Sequence, residues 1–194
     1  MNSDQVLDEF RDAEALLEGH FILSSGLHSR TYLQCARVLM DTRRAARLAE
    51  ALAEKIKAAT DSKIDAVVAP AMGGLIIGHE VARALGVESM FLERVDGRFT
   101  LRRGFHLDDT TNVVMVEDIV TTGLSSREAI AAIAAHGGNV VGAGCLIDRS
   151  GGAADIGVTL SSLAAITVES FEADNVPADL TDIPAVKPGS RGLK

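Results

Sequence analysis

The pattern of apolar and polar positions divides the chain into two regimes. In the first sixty or so residues the apolar positions keep helical spacing. Val6, Phe10, Ala13 and Leu17 stand three or four apart, which predicts a helix from about Ser3 to Glu18 stopped by Gly19. A Ser/Gly-rich turn, Leu23–Ser29, follows. Leu48, Leu52 and Ile56 then form an apolar stripe, which predicts a helix from the cap Asp41-Thr42 to about Ala59. Beyond it the pattern shifts to short apolar runs. Ile64–Ala69, Val87–Leu92, Asn112–Val116, Val140–Ile147 and Ala164–Val168 read as strands, with helices over Gly74–Leu85 and from Ser125 to about Ala135. Gly86 and Gly137-Gly138 close those helices, and the tail with Pro177, Pro184 and Pro188 reads as irregular and partly exposed. Short apolar strands alternating with helices predict an α/β fold, a mostly parallel central sheet flanked by helices. Ligands bind such a sheet beyond the carboxyl ends of its strands. The loops in question are Pro70–Gly74, Glu93–Gly104, Glu117–Leu124 and Asp148–Gly152.

Composition narrows the classes. A length of 194 residues with 47% hydrophobic residues predicts one folded domain with a filled core. The net charge of −8 argues against a nucleic-acid partner. The apolar stretch Ala66–Gly78 is broken by Pro70 and is too short to span a bilayer, so no membrane partner is expected. The N-terminus lacks the basic-then-apolar pattern of a secretory signal, and Cys35 and Cys145 form no CxxC pair. The expectation is a cytoplasmic protein with buried, reduced thiols.

The most informative stretch is Val113–Ser126. Four apolar residues end in the adjacent carboxylates Glu117 and Asp118, a small-residue loop follows, and a helix opens. Ser125-Ser126-Arg127-Glu128 fits a capping box. Backbone N–H groups at a helix start, beside Thr and Ser hydroxyls and a glycine, make an anion cradle. Carboxylates repel phosphate but accept hydrogen bonds from vicinal hydroxyls. A phosphate cradle adjoining an acidic pair describes a ribose 5-phosphate site; the plainer reading is a capped strand–turn–helix with two solvated acids. No G-x-x-x-x-G-K-[ST] is present, and no G-x-G-x-x-G follows a strand, which excludes a P-loop and disfavours a dinucleotide fold.

Val113–Ser126 resembles the phosphoribosyl-pyrophosphate (PRPP) signature of type I phosphoribosyltransferases: four apolar residues, two acids, two apolar residues, then Thr-Thr-Gly-x-Ser. Three further segments narrow the resemblance to the orotate phosphoribosyltransferase family. Phe21–Ser29 resembles its N-terminal hood segment, Pro70–Gly74 its pyrophosphate loop, and Asp148-Arg149 its base-binding pair. The match keeps the family's order over roughly residues 20 to 150.

The resemblance implies a single phosphoribosyltransferase domain over 1–194, with about 1–36 and 165–194 forming a hood. It implies transfer of the 5-phosphoribosyl group of PRPP to orotate, giving orotidine 5′-monophosphate and pyrophosphate. Glu117 and Asp118 would hold the ribose hydroxyls, and Ile119, Val120, Thr121, Thr122, Gly123, Leu124 and Ser125 the phosphate. Thr121, Arg149, Ser25 and Gly26 would contact orotate; a guanidinium fork suits a planar carboxylate, the bland alternative being a salt bridge of Arg149 with Asp148. Tyr32 would cover the base or pack in the hood. Mg²⁺ would be held mainly by PRPP, with no protein metal site. Two family lysines are replaced, one by Gly73 in the pyrophosphate loop and one by Ser24 in the hood. Compensating cations would come from Glu93–Phe105, which carries Arg94, Arg98, Arg102 and Arg103 with Gly97 and Gly104 as hinges, or that segment is a solvated hairpin. The family closes such a loop over a neighbouring subunit, so Arg102 and Arg103 are expected to act catalytically across a homodimer with shared sites. A purine-using enzyme, a PRPP-sensing regulator without catalysis and a structural α/β module remain as alternatives.

Overall fold

The computed structural model describes residues 1–23 and 26–188. The first helix, α1 (Ser3–Asp12), opens on a reciprocal cap: Asn2 Oδ1 accepts from the Gln5 N–H at 2.9 Å, and Gln5 Oε1 from the Asn2 N–H at 3.0 Å. The helix ends well short of Glu18. Ala13 closes it, Glu14 turns at φ 49°, and Ala15 is buried. Leu16–Ile22 is instead a strand, β1, antiparallel to β2 (His28–Leu33), and Leu17 faces Tyr32. Ala13 and Leu17 fit a helical stripe and a strand equally well, and pairing with β2 decides between them. Gly19 therefore sits inside a strand and stops no helix.

A short helix, α2 (Cys35–Leu39), leads to α3 (Thr42–Ala59), whose N-cap Asp41 accepts from the N–H groups of Arg43 and Arg44 at 2.9 and 3.1 Å. The chain then runs β3 (Ala66–Pro70), α4 (Gly74–Leu85), β4 (Glu88–Val95), β5 (Arg98–Leu101), β6 (Asn112–Val120), α5 (Leu124–Ala135), β7 (Asn139–Asp148) and β8 (Leu160–Ala165). Two small elements follow, β9 (Ser170–Phe171) and α6 (Ala178–Thr181). The six-stranded sheet has the order β5-β4-β3-β6-β7-β8; all neighbours are parallel except the β4–β5 hairpin at the edge. The predicted α/β class is the observed one. A separate three-stranded sheet joins β1, β2 and β9, with Phe21 bridged to Val186.

The alternation of β6 explains the two layers. Val114 and Val116 pack with α1, α3 and α4 through Phe10, Leu48, Leu52 and Ile77, while Val113 and Met115 pack with Ala129 and Ile133 of α5. Two strand ends differ from expectation. β6 runs past both carboxylates to Val120, because Ile119 and Val120 pair with Ile147 and Asp148. β8 spans Leu160–Ala165 and not Ala164–Val168, because its register on β7 starts with Leu160 opposite Ala143. No described helix is long and apolar enough to cross a membrane.

Candidate active site

From β3 the chain steps outward to β4, and from β6 it steps the other way to β7, so the sheet has its switch point between β3 and β6. The crevice there is walled by the turn after β3 and the loop after β6. Ala71–Gly73 forms the first wall, with a cis peptide between Ala71 and Met72. A methyl group on Gly73 would stand 2.7 Å from Asp118 Oδ1, so the absent side chain is the space this carboxylate occupies.

The two signature carboxylates project to opposite faces of β6, as successive strand residues do. Glu117 turns under α5: it is 6% exposed and its Oε1 accepts a hydrogen bond from the Ser126 hydroxyl. Burial pushes this carboxyl up to about 7, with the neighbouring Asp118 adding in the same direction. Asp118 turns toward Gly73 and Cys35 and is half-buried. Its Oδ1 accepts from the Ile119 N–H at 3.0 Å and it takes the Cys35 thiol hydrogen; burial nonetheless raises it. The expectation of two solvated acids is thus wrong, because β6 extends beyond them and α5 covers Glu117.

The cradle follows. Thr121, Thr122, Leu124 and Ser125 are exposed, and Gly123 is buried at φ 74° as the residue before the helix. A methyl there would meet Ile156 Cγ2 at 2.7 Å, which fixes glycine on both grounds. The predicted capping box does not form: with Gly123 as cap, Ser125 lies inside the first turn and Glu128 binds Arg94 at 2.6 Å. Gly123 offers no capping side chain; the Leu124 N–H donates to Thr122 Oγ1 at 3.4 Å, and the next N–H groups face the crevice end without an intrahelical acceptor. Arg127 braces the loop, donating to the carbonyls of Thr122 at 3.2 Å and Asp155 at 2.7 Å.

Arg149 closes the crevice beside Thr121, its N–H donating to the Val120 carbonyl at 2.8 Å. It forms no salt bridge with Asp148, whose oxygens accept from the Ser150 N–H and hydroxyl and the Gly152 N–H at 2.8, 2.6 and 2.9 Å. Among the described residues, Arg149 Nε is a buried donor with no partner. Burial lowers its pKa from the ordinary arginine value, yet a guanidinium stays charged. Gly26 lies in the β1–β2 turn at φ 89°; Ser25 lies outside the described residues. Tyr32 packs on Phe21, ring centroids 5.8 Å apart.

The structure does not bring the arginines of the β4–β5 hairpin to the cradle. Arg102 and Arg103 bind Glu93 at 3.3 and 2.6 Å, and Arg94 lies over Phe99 at 3.9 Å while holding Glu128. β5 stands three strand spacings from β6, roughly 14 Å. Sequence reasoning missed Ser126, Arg127 and Cys35. Ser126 and Arg127 were read only as parts of a cap, and nothing local marks Cys35 as a neighbour of Asp118.

Comparison with known proteins agrees with this geometry. The phosphoribosyl transferase domain profile matches residues 38–175. An orotate phosphoribosyltransferase of Rhizorhabdus wittichii is 59% identical over 191 residues, covering 98% of this chain and 97% of the relative. One of Erythrobacter litoralis is also 59% identical over 191 residues, covering 98% and 99%. Among solved structures, orotate phosphoribosyltransferase from Aeropyrum pernix superposes with a TM-score of 0.67 at 24% identity, over 82% of this chain and 93% of that one, and shares the fold. With the profile covering most of the chain and relatives 59% identical over nearly its full length, the chain belongs to the phosphoribosyltransferases and, within them, to the orotate phosphoribosyltransferase family.

Proposed function

We propose that the chain transfers the 5-phosphoribosyl group of PRPP to orotate, releasing pyrophosphate and forming orotidine 5′-monophosphate, a step of pyrimidine nucleotide synthesis. The observation that carries the choice of base is Arg149. A buried guanidinium nitrogen without a partner, beside Thr121 at the mouth of the crevice, wants an anionic planar acceptor. Orotate supplies one in its carboxylate; a neutral purine does not. The relatives' names point the same way.

The residues divide the work of a dissociative substitution. The cradle Thr121–Ser125 binds the 5-phosphate on N–H groups and hydroxyls and fixes the ribose. Glu117 and Asp118 accept its hydroxyl hydrogens and favour the positive charge that builds at the anomeric carbon as pyrophosphate departs. Arg149, with Thr121 and the residues Ser25 and Gly26, holds orotate so that its ring nitrogen faces that carbon. Charge on the departing pyrophosphate would be neutralised by Mg²⁺ held mainly by PRPP itself.

The reading includes a cytoplasmic homodimer. The Arg102–Arg103 turn is held on Glu93 at the edge of the sheet and not on its own cradle, which fits a role toward a partner's crevice. Met72, in the turn after β3, and Ile76, on α4, are exposed apolar side chains that a second copy could cover, and both cysteines are buried and free.

The test is an ultraviolet assay of protein, PRPP, Mg²⁺ and each base in turn. Orotate is consumed and adenine, guanine and hypoxanthine are not; turnover of a purine without turnover of orotate overturns the reading. Arg149→Ala weakens orotate binding by about one to two decades, the worth of a charge-assisted hydrogen bond, while PRPP binding holds.

A further inference from the structure

Ser126 is polar, 1% exposed and outside the cradle. It is the third residue of α5, and its side chain points back under the helix to β6, where its hydroxyl donates to Glu117 Oε1. A buried hydroxyl requires a partner, and a serine in a first turn ordinarily finds one in the backbone. This one instead reaches across nine residues to a side chain.

Glu117 has few other means of support. On its own strand its ionisable neighbour is Asp118, a like charge. Opposite it on β7 stands the buried thiol of Cys145. The charged residues of the first turns of α5 are engaged elsewhere, Arg127 on the Thr122 and Asp155 carbonyls and Glu128 on Arg94. Among the described residues, the Ser126 hydroxyl is therefore the donor that favours the anion of a carboxyl that burial pushes up to about 7.

We propose that Ser126 is a positioning residue for the phosphoribosyl transfer: its hydroxyl fixes Glu117 through Oε1 and keeps it an anion whose second oxygen accepts from the ribose of PRPP. The proposal rests on the reading of Glu117 as a ribose ligand. Without the hydroxyl, Glu117 keeps its proton to higher pH and loses its fixed rotamer, and both weaken its grip on PRPP.

The test is steady-state kinetics of the whole protein from pH 6 to 9 with PRPP and orotate varied separately. Ser126→Ala raises the KM for PRPP about tenfold or more at pH 7, as expected for loss of a hydrogen bond to a charged group, and leaves the KM for orotate nearly unchanged. The acid limb of kcat/KM for PRPP moves to higher pH. Ser126→Thr returns the limb toward wild type. Ser126→Cys, close in shape with a weak donor, gives the same displacement in smaller measure with the packing kept. An acid limb that stays at its wild-type position in Ser126→Ala and Ser126→Cys overturns the proposal, whatever happens to thermal stability. Glu117→Gln separates the two layers of argument. Loss of the limb in that variant supports Glu117 as the titrating ribose ligand. An unchanged limb and unchanged KM for PRPP overturn the ribose reading itself.

Discussion

A carboxyl placed under the first turn of a helix costs free energy whenever it is ionised. Glu117 pays this cost because the sheet puts it there: β6 continues beyond it, Cys145 lies opposite, and α5 closes over it. Its proton is held more tightly in the folded state, at about 7, than at the ordinary value of 4.5 in the unfolded chain. Its stabilising effect is therefore complete below about pH 4.5 and is lost as pH rises through 7. The gap corresponds to about 3 kcal/mol at pH 8, an upper figure because the site relaxes on ionisation. Asp118, raised by burial too, acts in the same sense. Glu117→Gln should accordingly be more stable than wild type at pH 8 and should lose that advantage toward pH 5, while its turnover falls. Urea midpoints at the two pH values measure it. Equal midpoints of both proteins at pH 8 would mean that Glu117 is solvated after all. An active site holding an acid where its charge is least welcome is the usual exchange of stability for function.

At the scale of elements, the crevice depends on how closely the turn after β3 approaches the end of β6. Gly73 has ordinary helical angles, φ −57° and ψ −41°, so its backbone would accept any residue. What excludes a side chain is Asp118, 2.7 Å from where the methyl would stand. Gly73→Ala should therefore fold with a stability change within about 1 kcal/mol, since a carboxylate end can rotate away. It should raise the KM for PRPP severalfold and leave that for orotate alone. A variant with wild-type PRPP kinetics would show that Asp118 moves without consequence. Any side chain at this position, a lysine included, would meet Asp118 in the same way. These contacts show which parts of the structure are legible in sequence. α3, α4 and α5 follow from stripes and stops, and the parallel strands from apolar runs, because those signals are local. The Glu117-Asp118 pair and the glycine of the cradle are legible for the same reason. The ends of β6 and β8 are not, since register on β7 sets them. Nor is the fate of residues 13–22, where one spacing serves two structures and a distant β2 chooses. The solvation of the acids was misread because exposure depends on α5 packing, which no window of sequence contains. The pairings of Ser126 with Glu117 and of Cys35 with Asp118 are not legible because the partners lie on other elements.

The whole molecule raises the question of who supplies positive charge for the departing pyrophosphate. In one protomer the cationic turn at Arg102 and Arg103 is held on Glu93, at the far edge of the sheet from the cradle, roughly three strand spacings away. Exposed pairs of this kind are weak, worth about 0–1 kcal/mol, so a polyanion can take the arginines from Glu93 at little cost. Gly97 and Gly104, with φ of 80° and 75°, bracket the strand and turn that would carry them. In a two-fold dimer the same patch meets itself, so each turn can reach the other crevice and two composite sites result. Mixing Asp118→Asn, which damages the cradle, with the double variant Arg102→Ala plus Arg103→Ala, which damages the turn, tests this arrangement. A hybrid dimer then holds one intact site and one doubly damaged site. With random pairing of equal amounts, half of the dimers are hybrids and each has one working site of two, so activity should recover to about a quarter of wild type. Each variant alone should stay nearly inactive. If subunits demonstrably exchange and no activity returns, the turn serves its own crevice or none. In that case the charge on pyrophosphate must be met at the switch point itself, by backbone N–H groups of the turn after β3 and by Mg²⁺ held on PRPP.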